Sequence, residues 1–235
     1  MDAVSDRDFC AEFIFAASLL MTHLSRLAED MILYCSSEFG FLSLSDRVST
    51  GSSIMPQKRN PDSMELVRGK SGRVVGNLVG ILTVLKGLPL SYNKDLQEDK
   101  EAVFEAFDTA AACLAVTATV LDETTVNEDA ARSAAATGFL NATELADYLA
   151  RKGMPFREAH EIVGRIVLKA EGKGVELEEM PLEVFREFSE LIGEDVYSSL
   201  AAGAALRARD LPGGTSPDRV KAAIDEAAAM IEGRS

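Results

Sequence analysis

The sequence is poor in positive charge and in aromatic residues. Its 235 residues include 24 Lys and Arg against 38 Asp and Glu, a formal net charge of −14 at pH 7. A nucleic-acid surface or an anionic membrane is therefore a poor first expectation, because the summed field repels polyanions. Tryptophan is absent, and glycine and proline number only 17 and 7 while apolar residues make up 47%. That balance excludes disordered, collagen-like and low-complexity chains and predicts a globular protein with a substantial core.

Cysteine and histidine are also scarce. Cys10, Cys35 and Cys113 lie far apart among apolar residues without a CxxC pair, which predicts buried free thiols in a reducing compartment. His23 and His160 have no second ligand at metal spacing, so a hydrogen-bonded structural role is predicted for both. No metal site and no cofactor are expected.

A targeting signal and a long apolar run are missing as well. The chain opens with acidic residues where a signal peptide would be basic, and no uninterrupted apolar run reaches about 20 residues. These features predict a soluble, cytoplasmic protein.

Helical periodicity is the clearest pattern that is present, and alternation typical of strands is hard to find. Apolar residues recur every three or four positions along 9–34, 61–86 and 103–121, and Ser5 with Asp8 resembles a capping box. Shorter helices are predicted over 142–152, 155–171, 181–191 and 217–232, the last with Ser216 as N-cap. The chain is therefore predicted to be all-α, with a bundle of long, nearly antiparallel helices over 1–130 and a small helical domain over 131–235.

Four glycines form a stripe inside the second long helix, at Gly69, Gly72, Gly76 and Gly80. Each costs roughly 1 kcal/mol relative to alanine, so something must offset them. The stripe is predicted to face a neighbouring long helix, either inside the chain or across a subunit interface.

The loop over 49–61 joins the first two long helices. It contains the adjacent hydroxyls of Ser52 and Ser53, the cations Lys58 and Arg59, and an expected helix start at Asn60 as N-cap. Helix N-termini favour carboxylates and phosphates, so this loop is a candidate anion site. A solvated connector is the alternative, although it does not explain the Ile, Met and Pro in mid-loop.

Two segments carry a family resemblance. Residues 51–61, GSSIMPQKRNP, fill every fixed position of the pattern GSSxMPxKxNP, which is typical of the fumarase/aspartase superfamily. Residues 88–101, LPLSYNKDLQEDKE, resemble the matching segment of the argininosuccinate lyase and δ-crystallin family, and so do 5–9, 21–26 and 151–157. The chain resembles the C-terminal half of that family, from part of its central helical domain onward.

The resemblance implies an activity and an assembly. Family members cleave argininosuccinate to arginine and fumarate by β-elimination, in arginine biosynthesis and the urea cycle. They form homotetramers whose active sites lie where regions of three subunits meet, and they need no cofactor. This chain would supply only part of each site.

The same resemblance implies a role for individual residues. Ser52 would exchange a proton with the β-carbon of the substrate, and Lys58 would stabilise the carbanion. Substrate-binding residues would be Asn60, Tyr92, Gln97 and Lys100. Supporting residues would be Arg7, Ser53, Gln57 and Glu65.

Some alternatives stay open. Chemistry alone does not separate Ser52 from Ser53, because both are hydroxyls beside the same cation and helix start. A non-catalytic helical assembly protein of the δ-crystallin type is the second function, and an inactive fragment or split subunit needing an N-terminal half is a variant of the first. Another fumarate-releasing lyase is a third. The intact set of site residues favours the enzyme.

Overall fold

A computed structural model describes residues 1–51, 55, 59–201 and 203–233 of the chain. Helices dominate these residues, so the all-α prediction is confirmed. The chain divides into two compact units, Met1–Ala131 and Arg132–Ser235.

The first unit is built on three long helices. They are α2 (Asp8–Tyr34), α3 (Asp62–Leu85) and α4 (Asp99–Asp122), preceded by α1 (Asp2–Ser5). A 3-10 helix (Lys94–Glu98) leads into α4, and α5 (Glu128–Ala135), which follows it, contains the boundary between the two units. Two short antiparallel ladders join the loops: β1 (Leu42–Leu44) pairs with β4 (Thr124–Val126), and β2 (Thr50–Gly51) pairs with β3 (Arg59–Asn60).

Contacts between the long helices fix their directions. The hydroxyl of Ser18 on α2 donates to the carbonyl of Val74 near the middle of α3 at 3.4 Å. Arg68, near the start of α3, forms an ion pair with Glu29, near the end of α2. The helices α2 and α3 are therefore antiparallel.

The third long helix, α4, reverses direction again. Arg73 on α3 forms an ion pair with Glu105, near the start of α4, at 3.3 Å. The ring of Phe107 lies 6.4 Å from that of Phe13, near the start of α2. The helix α4 is consequently antiparallel to α3 and parallel to α2, so the N-terminal ends of α2 and α4 lie together. Fully buried apolar side chains lie on the inner faces: Ile14, Met21, Met64, Val74, Ile81 and Ala106. The predicted periodicity is confirmed only in part, because Phe9, Phe107 and Leu121 of the same pattern are exposed.

The helix starts differ from the sequence predictions. Ser5 is the last residue of α1 and donates to the carbonyl of Met1, so the predicted capping box is absent. The amide of Asp8, which begins α2, instead donates to the carboxylate of Asp6 at 2.9 Å. Asn60 is paired in β3 and α3 begins at Asp62, so Asn60 is not the N-cap.

The glycine stripe of α3 is exposed on the surface of the described chain. A Cβ atom built on Gly69, Gly72, Gly76 or Gly80 would meet no other described heavy atom within 4 Å. The in-chain part of the stripe prediction is therefore wrong for the described residues, and a contact with another chain remains predicted.

The segments Asp8–Tyr34 and Lys94–Asp122 are long and apolar enough to span a membrane by length and composition. The sequence prediction counted uninterrupted apolar runs and so did not single them out. A core helix of a soluble bundle passes the same test, and both helices bury residues in the core described above, so the evidence for a span is weak.

The second unit consists of shorter helices. They are α6 (Ala142–Arg151), α7 (Phe156–Lys173), α8 (Leu182–Arg186), α9 (Val196–Leu200), α10 (Ala204–Ala208) and α11 (Pro217–Glu232), with a 3-10 helix at Leu177–Glu179. Phe185, Leu145, Leu149 and Ile166 are fully buried in its core. The helix predicted over 181–191 is shorter than expected. The Ser216 cap of α11 is confirmed, because its side chain accepts from the Arg219 amide at 3.3 Å.

Candidate functional site

The polar loop between α2 and α3 is closed at its base by the β2–β3 ladder. Thr50 lies opposite Asn60, and Gly51 lies opposite Arg59. The Thr50 hydroxyl also donates to the carboxylate of Asp62, the first residue of α3. The ladder therefore holds both ends of the loop against the N-terminus of α3.

Several predicted residues lie outside the described part of this loop. They are Ser52, Ser53, Gln57 and Lys58. Among the described neighbours, Asn60 is half-buried and Glu65 is exposed one turn into α3. Arg59 forms an exposed ion pair with Asp46 at 2.9 Å, so part of the positive charge expected of the loop is compensated.

A cleft of about 750 Å³ lies beside this loop. Asn60 and Glu65 line it together with Ser43, Ser49 and Cys35. Burial raises the pKa of the Cys35 thiol, so it stays protonated near neutral pH. The cleft is large enough for a small polar molecule and carries neutral and charged hydrogen-bonding side chains, Glu38, Arg59 and Glu65 among the charged ones, next to a helix N-terminus.

A second group of predicted residues surrounds the start of α4. Gln97 donates from its side-chain amide to the Tyr92 hydroxyl at 2.8 Å, and Tyr92 is 46% exposed. Ser91, just before it, has a left-handed backbone with φ of 76°. The side chain of Asn93 braces that turn by donating to the carbonyls of Pro89 and Ser91 at 3.1 and 3.4 Å. A strained residue held by its neighbours presents Tyr92 and Gln97 outward as a pair.

Lys100 and Arg7 meet at one buried carboxylate, that of Asp99. The Lys100 ammonium lies 3.0 Å from one Asp99 oxygen, and the Arg7 guanidinium binds the other oxygen. Burial tends to raise the pKa of Asp99, but its hydrogen bonds to Lys100 and Arg7 outweigh that effect and hold the pKa below its usual range. Burial raises the pKa of the nearby Cys10 thiol, and the charge of Asp99 adds to that rise.

These two groups of residues lie at opposite ends of the bundle. The loop that ends at Asn60 adjoins the start of α3, whereas the segment from Tyr92 to Lys100 follows its end. A helix of 24 residues is about 36 Å long. The structure thus pairs Tyr92 with Gln97 and joins Lys100 to Arg7 through Asp99 at one end of the bundle. It does not bring either group to Asn60 and Glu65 within one chain.

The surroundings of the two histidines differ from the predicted structural, hydrogen-bonded role. His23 is exposed on α2 and makes no hydrogen bond to another described residue, so its predicted structural hydrogen bond is wrong. His160 is also exposed, and its ring lies 6.4 Å from that of Phe156. Within the described residues, no three His, Cys, Asp or Glu side chains are grouped as metal ligands.

Sequence reasoning did not single out Asp99. Its signal was local, because a carboxylate at the first position of a helix is stabilised by the helix dipole and stands next to Lys100. Its partner Arg7 lies 92 residues earlier, a pairing that only the folded bundle reveals.

Comparison with known proteins identifies the family. A family model described as lyase matches residues 1–76, and one described as argininosuccinate lyase C-terminal matches residues 139–207. The curated argininosuccinate lyase of Limosilactobacillus fermentum is 56% identical over 98% of this chain, and that of Lactococcus lactis subsp. cremoris is 57% identical over 97%. The chain belongs to the argininosuccinate lyase family. It spans about half the length of these relatives and corresponds to their C-terminal half.

Solved structures of other lyases share the fold of this chain. EDDS lyase in complex with formate is 30% identical, with a TM-score of 0.81 over 99% of this chain and 48% of its own. A variant of EDDS lyase with bound fumarate is 29% identical, with a TM-score of 0.82 over the same shares of the two chains. A class II fumarase from Schistosoma mansoni, 17% identical with a TM-score of 0.66 over 87% of this chain and 40% of its own, shows the fold alone.

Proposed function

We propose that this chain is the C-terminal portion of an argininosuccinate lyase, acting in the cytoplasm in arginine biosynthesis. The reaction is β-elimination of argininosuccinate to arginine and fumarate, without a cofactor. One observation supports the proposal: the two segments that match the family's motifs, 51–61 and 88–101, lie in the sequence on either side of α3. The EDDS lyase variant that resembles this chain has bound fumarate, the product expected here.

The proposed chemistry assigns roles to residues of the signature loop. Ser52 removes the proton from the β-carbon, and Lys58 with loop N–H groups stabilises the negative charge that spreads into the adjacent carboxylate. Preorganised donors at a developing oxyanion are worth about 3–4 kcal/mol each. Asn60 binds the substrate, with Ser53, Gln57 and Glu65 in support.

The other end of the bundle binds the rest of the substrate. Tyr92 and Gln97 form a hydrogen-bonded pair at the surface, and the half-exposed Lys100 offers an ammonium for a substrate carboxylate. Arg7 supports this group through Asp99.

Because about 36 Å of helix separates the two groups, one copy does not form a complete site. We propose a homotetramer in which the loop of one copy meets the Tyr92–Lys100 segment of another. A neighbouring α3 that runs antiparallel places the start of one helix beside the end of the other. The proton donor for the departing nitrogen then comes from the N-terminal half, which this chain does not contain.

The test combines this chain with a separately expressed N-terminal half of the Limosilactobacillus fermentum relative. Fumarate release is followed by its ultraviolet absorbance, for the chain alone and for the refolded mixture, which we call the complemented assembly. Turnover is expected only in the complemented assembly, because a missing general acid slows the reaction by about 10²–10⁴-fold.

Two results contradict the proposal. Robust turnover by the chain alone means that the complementary acid lies within these 235 residues. A well-formed complemented assembly that neither binds nor cleaves argininosuccinate favours a non-catalytic assembly protein. The Ser52→Ala chain, refolded in the same way, controls for contaminating activity.

A further inference from the structure

Asp99 is the most deeply buried acidic side chain at the N-terminal ends of the long helices. The residue is 6% exposed and stands at the first position of α4. Its two oxygens are divided between cations from different parts of the chain, Lys100 on one and Arg7 on the other. An ion pair between neighbouring residues on a helix is usually solvated and contributes little, but this one shares a carboxylate that water barely reaches.

The Lys100 ammonium keeps most of its hydrogen-bonding capacity. Its side chain is 53% exposed, and an ammonium has three donors, of which Asp99 takes one. Two donors therefore remain for a ligand that approaches from solvent. The ion pair with Asp99 anchors the charged end of the Lys100 side chain. The side chain therefore loses less conformational entropy on ligand binding than an unpaired lysine does.

The three side chains of the cluster carry one net positive charge, and the acids Asp6, Glu98 and Glu101 lie close to them in the sequence. Arg7, Lys100 and Asp99 together carry a net charge of +1, and the pKa of Asp99 lies below its usual range, so the carboxylate remains ionised at neutral pH. Asp6, the other acid of the adjoining cleft, is turned to the backbone amide of Asp8 at 2.9 Å.

We infer that Asp99 is a positioning residue for Lys100: it holds the ammonium in place so that its two remaining N–H groups bind a carboxylate of the substrate. The inference rests on the proposed function, because it takes argininosuccinate as the ligand. Arg7 binds the second Asp99 oxygen and so keeps the carboxylate from rotating away from Lys100.

The experiment uses the complemented assembly with Asp99→Asn, which keeps the side-chain shape and removes its charge. KM for argininosuccinate is expected to rise about 3- to 10-fold with kcat unchanged, the loss of one net hydrogen bond. In a chain that already carries Lys100→Gln, the same change is expected to leave KM unaltered. The matched control is Asp108→Asn, an exposed acid on the same helix that forms no ion pair with the described residues.

A purely structural role for Asp99 predicts a different pattern. In that case Asp99→Asn lowers the active fraction or kcat at constant KM, or its effect on KM adds in full to the effect of Lys100→Gln. Either result overturns the inference. If Asp99→Asn fails to assemble because Arg7 is left unpaired, the double variant Arg7→Gln with Asp99→Asn removes both charges, and the same rise in KM is expected.

Calorimetric titration of argininosuccinate separates the two levels of failure. A wild-type complemented assembly that neither binds nor cleaves the compound refutes the proposed function and this inference together. If the wild type binds and cleaves, but Asp99→Asn matches Asp108→Asn in affinity and KM, only the inference is refuted.

Discussion

Mixing two impaired variants, assayed at argininosuccinate concentrations well below KM, tests whether an active site draws on more than one copy of the chain. One variant carries Ser52→Ala in the signature loop, and the other carries Lys100→Ala at the start of α4. The loop ends at Asn60 just before α3, and Lys100 follows the end of that helix, so about 36 Å lies between the two regions of one copy. A single argininosuccinate molecule is far too short to touch both.

The geometry sets the size of the expected effect. In an equal mixture that is unfolded and refolded with the N-terminal half, half of the loops and half of the Lys100 segments are wild type. If each site pairs a loop with a segment from another copy at random, about one quarter of the sites are fully wild type. Activity is expected to recover to about 25% of the wild-type rate per site.

The assay measures initial rates of fumarate release for each variant alone and for mixtures of varied ratio, with sedimentation to verify equal assembly. The recovered rate is expected to peak at the equal ratio. A mixture no more active than the better of its two components refutes the idea that sites are shared, since it means that the loop and the Lys100 segment of each site come from one copy and every site carries one of the two mutations.

Three further predictions concern single residues. In the complemented assembly, Ser52→Ala is expected to abolish turnover and to leave argininosuccinate affinity nearly unchanged in calorimetry, whereas lost binding with turnover retained in the bound fraction reverses that assignment. Gly76→Leu is expected to shift sedimentation toward smaller species and to lower the melting temperature of the assembly, because the glycine faces open space within its own chain. An unchanged size and melting temperature would falsify the interface. In the second unit, the buried Tyr148 hydroxyl donates to Asp195 at 2.7 Å and accepts from the Gly193 amide at 3.0 Å, so Tyr148→Phe is expected to destabilise the unit in urea. The Tyr148 and Lys152 hydrogen bonds lower the pKa of Asp195, so this stabilisation is present above the unfolded pKa near 4 and is lost as pH falls through the folded pKa. The Tyr148→Phe deficit should therefore shrink in acid, and a deficit that grows instead contradicts the assignment.

The long helices could be predicted from the sequence because their signals are local. Part of the apolar periodicity that predicts α2, α3 and α4 coincides with buried side chains, such as Met31, Val74 and Ile81. Other positions of the same pattern, such as Phe107, are exposed. The cap at Ser216 was also predicted correctly, since a serine followed by proline is a signal contained in two residues. Such patterns survive folding because the helix supplies its own hydrogen bonds.

Helix starts and short helices were predicted less well, because tertiary contacts compete with local preference there. Asn60 has the chemistry of an N-cap, but its backbone pairs with Thr50 and the helix starts two residues later. Ser5 likewise closes α1 instead of capping α2. The helices α9 and α10 have five residues each, too few for a periodic pattern to stand out.

The candidate site could be identified by motif but not assembled from sequence. The motifs include residues before and after α3, but they do not give the distance between these residues, which the length of the helix sets. The role of Asp99 was invisible for a related reason, since its partner Arg7 is brought to it only by the parallel arrangement of α2 and α4. Long-range geometry is what a linear pattern lacks.

One proposed contact, with α3 of a second copy of the chain, would both cover the glycine stripe and complete the divided site. The stripe starts at Gly69, seven residues after α3 begins at Asp62, and ends at Gly80, five residues before the helix ends at Leu85. A surface centred on a helix in this way is well suited to a two-fold axis, where the same patch meets itself. In the proposed assembly, two such helices approach closely because glycine has no side chain, and backbone contact offsets the roughly 4 kcal/mol of lost helix propensity. An antiparallel crossing at that axis would carry each signature loop toward the Lys100 end of the partner. The residues that weaken α3 on its own would then be those that allow two copies to complete each other's sites.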